Sequence, residues 1–534
     1  MHRRSFLGLS APSGVSPTPS ATALAPFEAP LSRRQARHLV TRLEFGARLR
    51  RVNGFVGLTA QEIVDFVLDE AQQFALPEAP RWYRRQQEGD IEDLYGVQRS
   101  WMFRMREQGF IEKITLFWHN HLVTQYPVYG APYHAYSYYR LLRTQALGNF
   151  KTMVHRIGTD PAMLLYLDGA TNVRNTSEKG SNENYARELL ELFTMGITGP
   201  DGSPNYSEAD VRQLSRVLTG WTVDGFSARP VPGLHDDGAK TLFGRSFPGD
   251  RDPRVEYDRV IDLIFEVRGA QIAHFICRKL YVFFVDPVPD EGAVAALAST
   301  FLDADFELLP VFRQLFTSAR FLDVEYSGAR IKSPVDFLVG FLNETETTPT
   351  TEVLEYFRVQ LEPARLSMEL FNPPDVAGWP GLNPPDAAQK PGDESWITTG
   401  LLPERWTILT DLMNGAAGNG VFDPVQIAIR VSDPSNPFAI AEDLASSLMP
   451  VPLALTSLRM LDEPFAGDVD LPPPPEVLND PTRSALSKLL LAGTPWYEWP
   501  SLQETGDGEL EGARFLLREF LGLLTRELPE YQLH

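Results

Sequence analysis

Residues 112–122 read Glu112-Lys113-Ile114-Thr115-Leu116-Phe117-Trp118-His119-Asn120-His121-Leu122. Apolar residues recur in this stretch at three- and four-residue spacings, which predicts a helix over residues 111–124. The same periodicity predicts further helices along the chain, among them residues 90–108, 136–157, 182–195, 207–219 and 269–284. Regular alternation typical of strands does not appear. The sequence therefore predicts a mostly α protein, a multi-helix globular body with long Pro/Gly-rich loops.

Composition narrows the class of protein. The chain has 534 residues and a formal net charge of −21, with +7 over residues 1–158 and −28 over residues 159–534. This acidic majority argues against nucleic acid as a partner. The sequence contains no run of about 18 uncharged apolar residues, so it predicts no transmembrane segment. The single cysteine, Cys277, excludes an internal disulfide and a thiolate metal cluster.

The chain divides into four parts by composition. Residues 1–30 form a Ser/Pro/Ala-rich tail that is disordered or resembles an export signal, and residues 31–463 form the helical main domain. Residues 464–482 are a Pro-rich acidic linker, and residues 483–534 are a C-terminal helical segment that we expect to pack on the main domain. Within the main domain, residues 222–258 hold nine Gly or Pro and predict an irregular excursion between helices.

The amino terminus leaves the location of the protein open. Arg3-Arg4-Ser5-Phe6-Leu7 matches the recognition feature of twin-arginine export signals. An export signal also needs about 7–15 uninterrupted apolar residues, and Pro12 and Gly14 break this segment early. The two alternatives are export to the periplasm and a cytoplasmic protein.

His119 and His121 are the first candidate functional residues. Histidines serve as metal ligands and as acid/base groups. On a helix, two residues at i and i+2 lie about 200° apart, so this pair cannot hold one ion from one helix. One histidine can face a pocket while the other forms hydrogen bonds elsewhere. The alternative is that both pack in an amphipathic helix.

Asn182-Glu183-Asn184-Tyr185-Ala186-Arg187-Glu188-Leu189-Leu190-Glu191 is the second candidate. Arg187, Glu188 and Glu191 gather on one face of the predicted helix. Carboxylates at i and i+3 can share a cation or shift each other's pKa for acid/base work. Arg187 can pair with Glu183 or Glu191 at four-residue spacing. The alternative is a solvated charged face.

The third candidate is His235-Asp236-Asp237-Gly238, within the long loop. An imidazole and carboxylates on a Gly-rich segment suit a divalent cation, or a base that moves into place. Turn chemistry explains Asp-Asp-Gly equally well.

These segments resemble a bacterial family known only as domain of unknown function 1800. The resemblance runs over roughly residues 31–500 and rests on several motifs in the same order. They are Glu112–His121, Ala146–Phe150, Asp160–Leu164, Asn182–Leu189, Leu218–Trp221, His235-Asp236, Lys332–Val335 and Gly378–Gly381. The resemblance implies a predominantly helical bacterial protein, often with an export-type signal. It also implies a gene that commonly neighbours a second uncharacterised family resembling sulfatases.

Two functions from different classes fit these observations. The first is a metal-dependent hydrolase or oxidoreductase in which His119, His121, Arg187 and Glu188 are catalytic. In that enzyme Glu188, Glu191, His235 and Asp236 hold a divalent metal such as Mn, Fe or Zn. The second is a non-catalytic binding or assembly protein for a sulfatase-like partner at the cell envelope.

Overall fold

The structure is a computed structural model that describes residues 24–174, 181–384, 392–418, 422–453, 457–458, 472–500, 502 and 510–534. The twin-arginine segment and residues 464–471 of the expected linker lie outside the described residues.

Helices make up most of the described chain, which confirms the predicted fold class. The first half contains α1 (Arg33–Leu43), α2 (Leu49–Phe55), α3 (Ala60–Gln73), α4 (Arg81–Arg84), α5 (Ile91–Gln108), α6 (Phe110–His121), α7 (Tyr126–Tyr129), α8 (Pro132–Gln145), α9 (Phe150–Ile157), α10 (Pro161–Tyr166), α11 (Asn184–Glu188), a π-helix (Leu189–Thr194) and α12 (Glu208–Val217). The second half contains α13 (Pro253–Phe284), α14 (Glu291–Asp303), α15 (Leu308–Phe316), α16 (Pro334–Glu344), α17 (Thr351–Gln360), α18 (Leu401–Met413), α19 (Pro424–Ala428), α20 (Pro437–Leu448), α21 (Pro475–Leu478), α22 (Pro481–Leu491) and α23 (Glu511–Arg526).

Helix α6 lies at the centre of the fold, and all of its residues are buried. It follows Gly109 and packs against α3, α5 and α8. Its two buried charges both have ionic partners, because an unpaired charge in the interior is costly. Lys113 pairs with Asp336 on α16, and Glu112 accepts a hydrogen bond of 2.6 Å from Arg143 Nε. These contacts fix the position of α6 within the body.

The long helix α13 runs alongside α14 and contacts α6 through side chains. Asp252 caps its first turn by accepting a hydrogen bond from the Arg254 amide. Arg268 interrupts the helical conformation with φ −119° and ψ 15°, so a kink separates the two halves of α13. The rings of Phe117 and Phe283 lie 5.2 Å apart where the second half of α13 contacts α6. The carboxyl end of α6 is thereby brought beside the second half of α13.

The prediction of an irregular excursion over residues 222–258 is wrong in part. The segment contains two antiparallel hairpins, β1 (Trp221–Asp224) with β2 (Ser227–Pro230), and β3 (Lys240–Leu242) with β4 (Arg245–Phe247). Trp221 pairs with Pro230, and Lys240 pairs with Phe247. Strands of three or four residues are too short to show a clear alternation of polar and apolar residues.

Both ends of the described chain attach to the body. Residues 24–30, which we assigned to the tail, are anchored where Phe27 N donates to Thr317 O at 2.8 Å. At the other end α23 packs against α18, α19, α20 and α22, and Lys332 N donates to Gln532 O at 2.8 Å. Among the described residues, no helix combines the length and apolar character needed to cross a bilayer.

Candidate functional site

His119 and His121 point to different surroundings at the end of α6. The ring of His119 lies 5.3–5.5 Å from the rings of Trp101, Phe371 and Trp379. Burial in these aromatic surroundings lowers the pKa of His119 to about 3, so its imidazole is neutral. His119 thus packs inside the protein, which is the alternative that the sequence left open for it.

Both ring nitrogens of His121 are engaged in hydrogen bonds. Its Nε2 lies 3.0 Å from the carbonyl oxygen of Phe193, and its Nδ1 lies 3.1 Å from Lys279 Nζ. A carbonyl can only accept, so Nε2 carries the proton and Nδ1 accepts from the lysine. Burial and the charge of Lys279 hold the pKa of His121 well below its usual value. A neutral imidazole therefore fixes the position of the lysine ammonium group.

The carbonyl of Phe193 reaches His121 because the chain changes its winding. The sequence predicts one helix over residues 182–195, but α11 ends at Glu188 and a π-helix follows. Met195 N donates to Leu190 O at 3.1 Å, and Thr194 Oγ1 donates to Leu189 O, both across five residues. Single π turns inside helices often occur at functional sites.

Glu188 and Glu191 lie at this change in winding. Tyr206 donates a hydrogen bond of 2.7 Å to Glu191 Oε2. Burial, and then the charge of Glu191, raise the pKa of Glu188 to about 7, although Arg187 opposes the shift. A carboxyl group with a raised pKa beside a second carboxyl group is an arrangement found in acid/base sites.

The hydrogen bonds of Arg187 go to other carboxylates, those of Glu208 and Glu183. Its guanidinium donates two hydrogen bonds of 2.8 Å to the exposed carboxylate of Glu208. It also lies 3.3 Å from Glu183 Oε2, four residues earlier. These are surface ion pairs, as in the solvated charged face that the sequence left open.

An open cavity of about 860 Å³ lies between the π-helix and α13. This volume is in the range of sites for small molecules. His121, Glu191 and Lys279 supply polar groups to its wall, and Met195, Phe275 and Val376 supply apolar groups. The wall of the cavity therefore contains one residue from each of two segments predicted as functional, His121 and Glu191. It also contains Lys279, to which no sequence motif pointed.

Helix α13 contributes a row of side chains to the cavity. Lys279 Nζ lies 5.1 Å from the centre of the Phe275 ring. Two further residues of α13 contact the carboxylate of Glu291. His274 Nε2 lies 3.0 Å from it, and Arg278 Nε donates a hydrogen bond of 3.3 Å to it. The four-residue spacing of Phe275 and Lys279 within a predicted helix was the available sequence signal for this row.

Asn120, between the two histidines, binds the loop whose residues Val376 and Asn383 line the cavity. Its Oδ1 accepts a hydrogen bond of 2.7 Å from Trp379 N, and its Nδ2 donates to Asn383 Oδ1 at 3.3 Å. Gly378 has φ +85°, and a Cβ at this position would lie 2.4 Å from the carbonyl oxygen of Asn120. The loop can approach α6 this closely because residue 378 is glycine. The Trp118–His121 and Gly378–Gly381 segments are therefore in direct contact beside the cavity.

The model of a family described as a protein of unknown function, DUF1800, matches residues 38–492. The chain belongs to this family. No curated protein and no solved structure shows significant similarity to it.

His235 and Asp236, a further motif of the family, lie in a cluster of charged side chains away from the cavity. His235 Nε2 lies 3.3 Å from Glu256 Oε2, and Lys240 pairs with the same carboxylate. Asp236 accepts hydrogen bonds of 2.7 and 3.0 Å from Arg216. Glu256 is in the first turn of α13, 18 residues before His274, so this cluster lies roughly 25 Å along the helix from the cavity. It anchors the two hairpins.

The four predicted metal ligands are therefore not brought together. Glu188 and Glu191 lie by the π-helix, whereas His235 and Asp236 bind Glu256 and Arg216. Within the described ranges, no group of three or more His, Cys, Asp or Glu side chains could hold a metal ion. Since both nitrogens of His121 are also engaged, the described residues do not fit a Mn, Fe or Zn site.

Proposed function

We propose that this protein is a hydrolase that acts on a small molecule held in the cavity, through acid/base chemistry of its own side chains. One observation carries the proposal: the cavity places Glu191 and the Lys279–His121 pair in the wall of a single site. A carboxylate can act as the general base in hydrolysis of an acyl bond, and a positioned ammonium group can stabilise the oxyanion that forms.

Each of these groups has a distinct role. Glu191 accepts a proton from water as the water oxygen bonds to the acyl carbon. Lys279 stabilises the negative charge that develops on the acyl oxygen, because its ammonium group is held at a fixed position by His121. When the acyl bond breaks, the leaving group takes the proton from Glu191. All atoms and charges then return to their starting state.

Glu188 adjusts the charge of this site rather than contacting the substrate. Because its pKa is about 7, the carboxyl group of Glu188 is neutral in a large fraction of molecules at physiological pH. A neutral Glu188 adds no negative charge beside Glu191, which acts as the base of the proposed reaction. Tyr206 holds the carboxyl group of Glu191 in place by donating a hydrogen bond to it.

Turnover of a panel of fluorogenic esters and amides tests the proposal. We expect Glu191→Gln and Lys279→Met each to lower kcat/KM by about 10²-fold or more, since each removes a group that acts in the transition state. The matched controls are Glu266→Gln and Lys151→Met, whose side chains form ion pairs outside the cavity. Equal turnover by all four variants would contradict the proposal. Capture of a protein partner with no turnover of any substrate would favour the assembly role instead.

A further inference from the structure

Arg278 presents a pair of unengaged nitrogens at the cavity. Its Nε is held by Glu291, and side chains of the described residues leave Nη1 and Nη2 without a hydrogen-bond partner. About a third of the side chain is exposed. A guanidinium fixed through Nε offers its two terminal N–H groups in the planar geometry that binds two oxygens of one oxyanion.

Together with its neighbours on α13, Arg278 forms a surface that has both polar and apolar side chains. Gln271, Phe275 and Arg278 lie along one face of α13, and all three line the cavity. Residues 271 and 278 are about 10 Å apart along the helix, with the aromatic ring between them. Across the cavity, Met195 and Val376 supply further apolar contacts.

We infer that the cavity binds an amphipathic molecule with an oxyanion group, a carboxylate or a phosphate, on Arg278 and an apolar body against Phe275, Met195 and Val376. This inference rests on the proposed function, because it names the substrate class of the same cavity. The long-range charge of the chain, −21, does not favour anions. Recognition therefore depends on local contacts, in which the Arg278 guanidinium replaces the hydration of the oxyanion and the Lys279 ammonium group adds positive charge to the same wall.

Calorimetric titration of the full chain at constant ionic strength tests the inference. The probes are octanoate, octyl phosphate and the neutral octanamide, which separate a carboxylate from a phosphate and both from apolar binding alone. We expect one of the two anions to bind at least about tenfold more tightly than octanamide, since hydrogen bonds between charged groups are stronger than those to a neutral amide. Equal binding of all three probes, or no binding of either anion, would overturn the inference.

Variants of Arg278 test whether its guanidinium produces the preference for an anion. Arg278→Gln should lower the preference for the anion by about fivefold or more, although Lys279 stays in the cavity wall. Arg278→Lys should retain an intermediate preference, because it keeps the charge but cannot donate two parallel hydrogen bonds to one oxyanion. Arg245→Gln, which removes an exposed partner of Glu266, should bind as the parent does. An unchanged preference in a folded Arg278→Gln or Arg278→Lys protein would contradict the assignment.

The outcome is separable from that of the proposed function. Glu191→Gln should abolish turnover while the affinity for the anion changes by no more than about threefold. Anion binding without any Glu191-dependent turnover would support the inference and contradict the hydrolase. Glu191-dependent turnover with no preference for an anion would do the reverse.

Discussion

Lys279 Nζ lies 3.1 Å from His121 Nδ1, although the two residues are 158 positions apart in the chain. The contact forms because the last residue of α6 meets the second half of α13, and the Phe193 carbonyl orients the imidazole from its other side. It joins three segments of chain at the wall of the cavity.

The tautomer of His121 is directly measurable. At pH 7, ¹⁵N spectra of histidine-labelled protein should show His121 protonated at Nε2 and unprotonated at Nδ1. The same state should persist at pH 5.5, because burial and Lys279 hold its pKa well below the usual value. Lys279→Met should shift only the Nδ1 resonance of His121, and Lys151→Met should not. An imidazolium signal for His121 above pH 6 would contradict the assigned hydrogen bonds.

Ionisation of Glu188 should weaken binding of an anion in the cavity. Its carboxyl group loses its proton as the pH rises through about 7, which adds a negative charge beside Glu191. We expect the Kd for octanoate to rise by about two- to threefold between pH 6 and pH 8, since the charges interact through a partly screened medium. Glu188→Gln should remove this dependence. If the Kd changed equally with pH in the parent and in Glu188→Gln, a group other than Glu188 would cause the pH dependence.

His119 should make the protein less stable in mild acid. Its pKa is about 3 in the folded protein, against about 6.5 for an unperturbed histidine, so the unfolded chain takes up the proton first. The stability contribution is fully present above pH 6.5 and falls as the pH drops from there toward 3. Between pH 7 and pH 5, the free energy of unfolding should fall by about 2 kcal/mol more than in His119→Phe. Urea unfolding of both proteins measures the difference, and parallel pH curves would contradict the prediction.

Gly378→Ala should disturb the contact between the cavity wall and α6. Gly225 is a matched control because it also has positive φ, +60° against +85°, but no atom lies within 4 Å of its missing Cβ. Both substitutions impose backbone strain, and only Gly378→Ala adds a clash with Asn120. The free energy of unfolding should therefore fall by about 1–3 kcal/mol more at Gly378 than at Gly225. Equal losses would show that the loop moves aside without cost.

Removal of divalent metals should leave the protein unchanged. The described residues offer no group of three ligating side chains, and His235 is held in its own cluster with Glu256. Dialysis of the full chain against a chelator should leave Tm unaltered, because an ion stabilises a protein only where side chains of the folded state bind it and the described residues offer no such group. Stoichiometric Mn, Fe or Zn by elemental analysis, together with a lower Tm after dialysis, would restore the metal hypothesis.

Parts of the site could be predicted from the sequence. The i, i+2 spacing of His119 and His121 correctly placed the two rings in different surroundings, because helical geometry is local. The carboxylates of Glu188 and Glu191 were identified as a pair that shifts pKa, and the pKa of Glu188 is raised. The π-helix was missed, since its six residues are too few to change the apolar periodicity of the sequence recognisably. His235 and Asp236 could not be placed, because a loop motif carries no information about the helix on which it packs.

The sequence by itself determined the positions of most helices, the mostly α fold class and the family resemblance. These properties depend on residues within a few turns of each other, where spacing alone decides which side chains share a face. Only the tertiary structure decided which groups meet: Lys279 with His121, Asn120 with the loop at Gly378, and Arg278 with Glu291. Such contacts join distant segments, so they follow from how buried surfaces pack and not from any pattern along the chain.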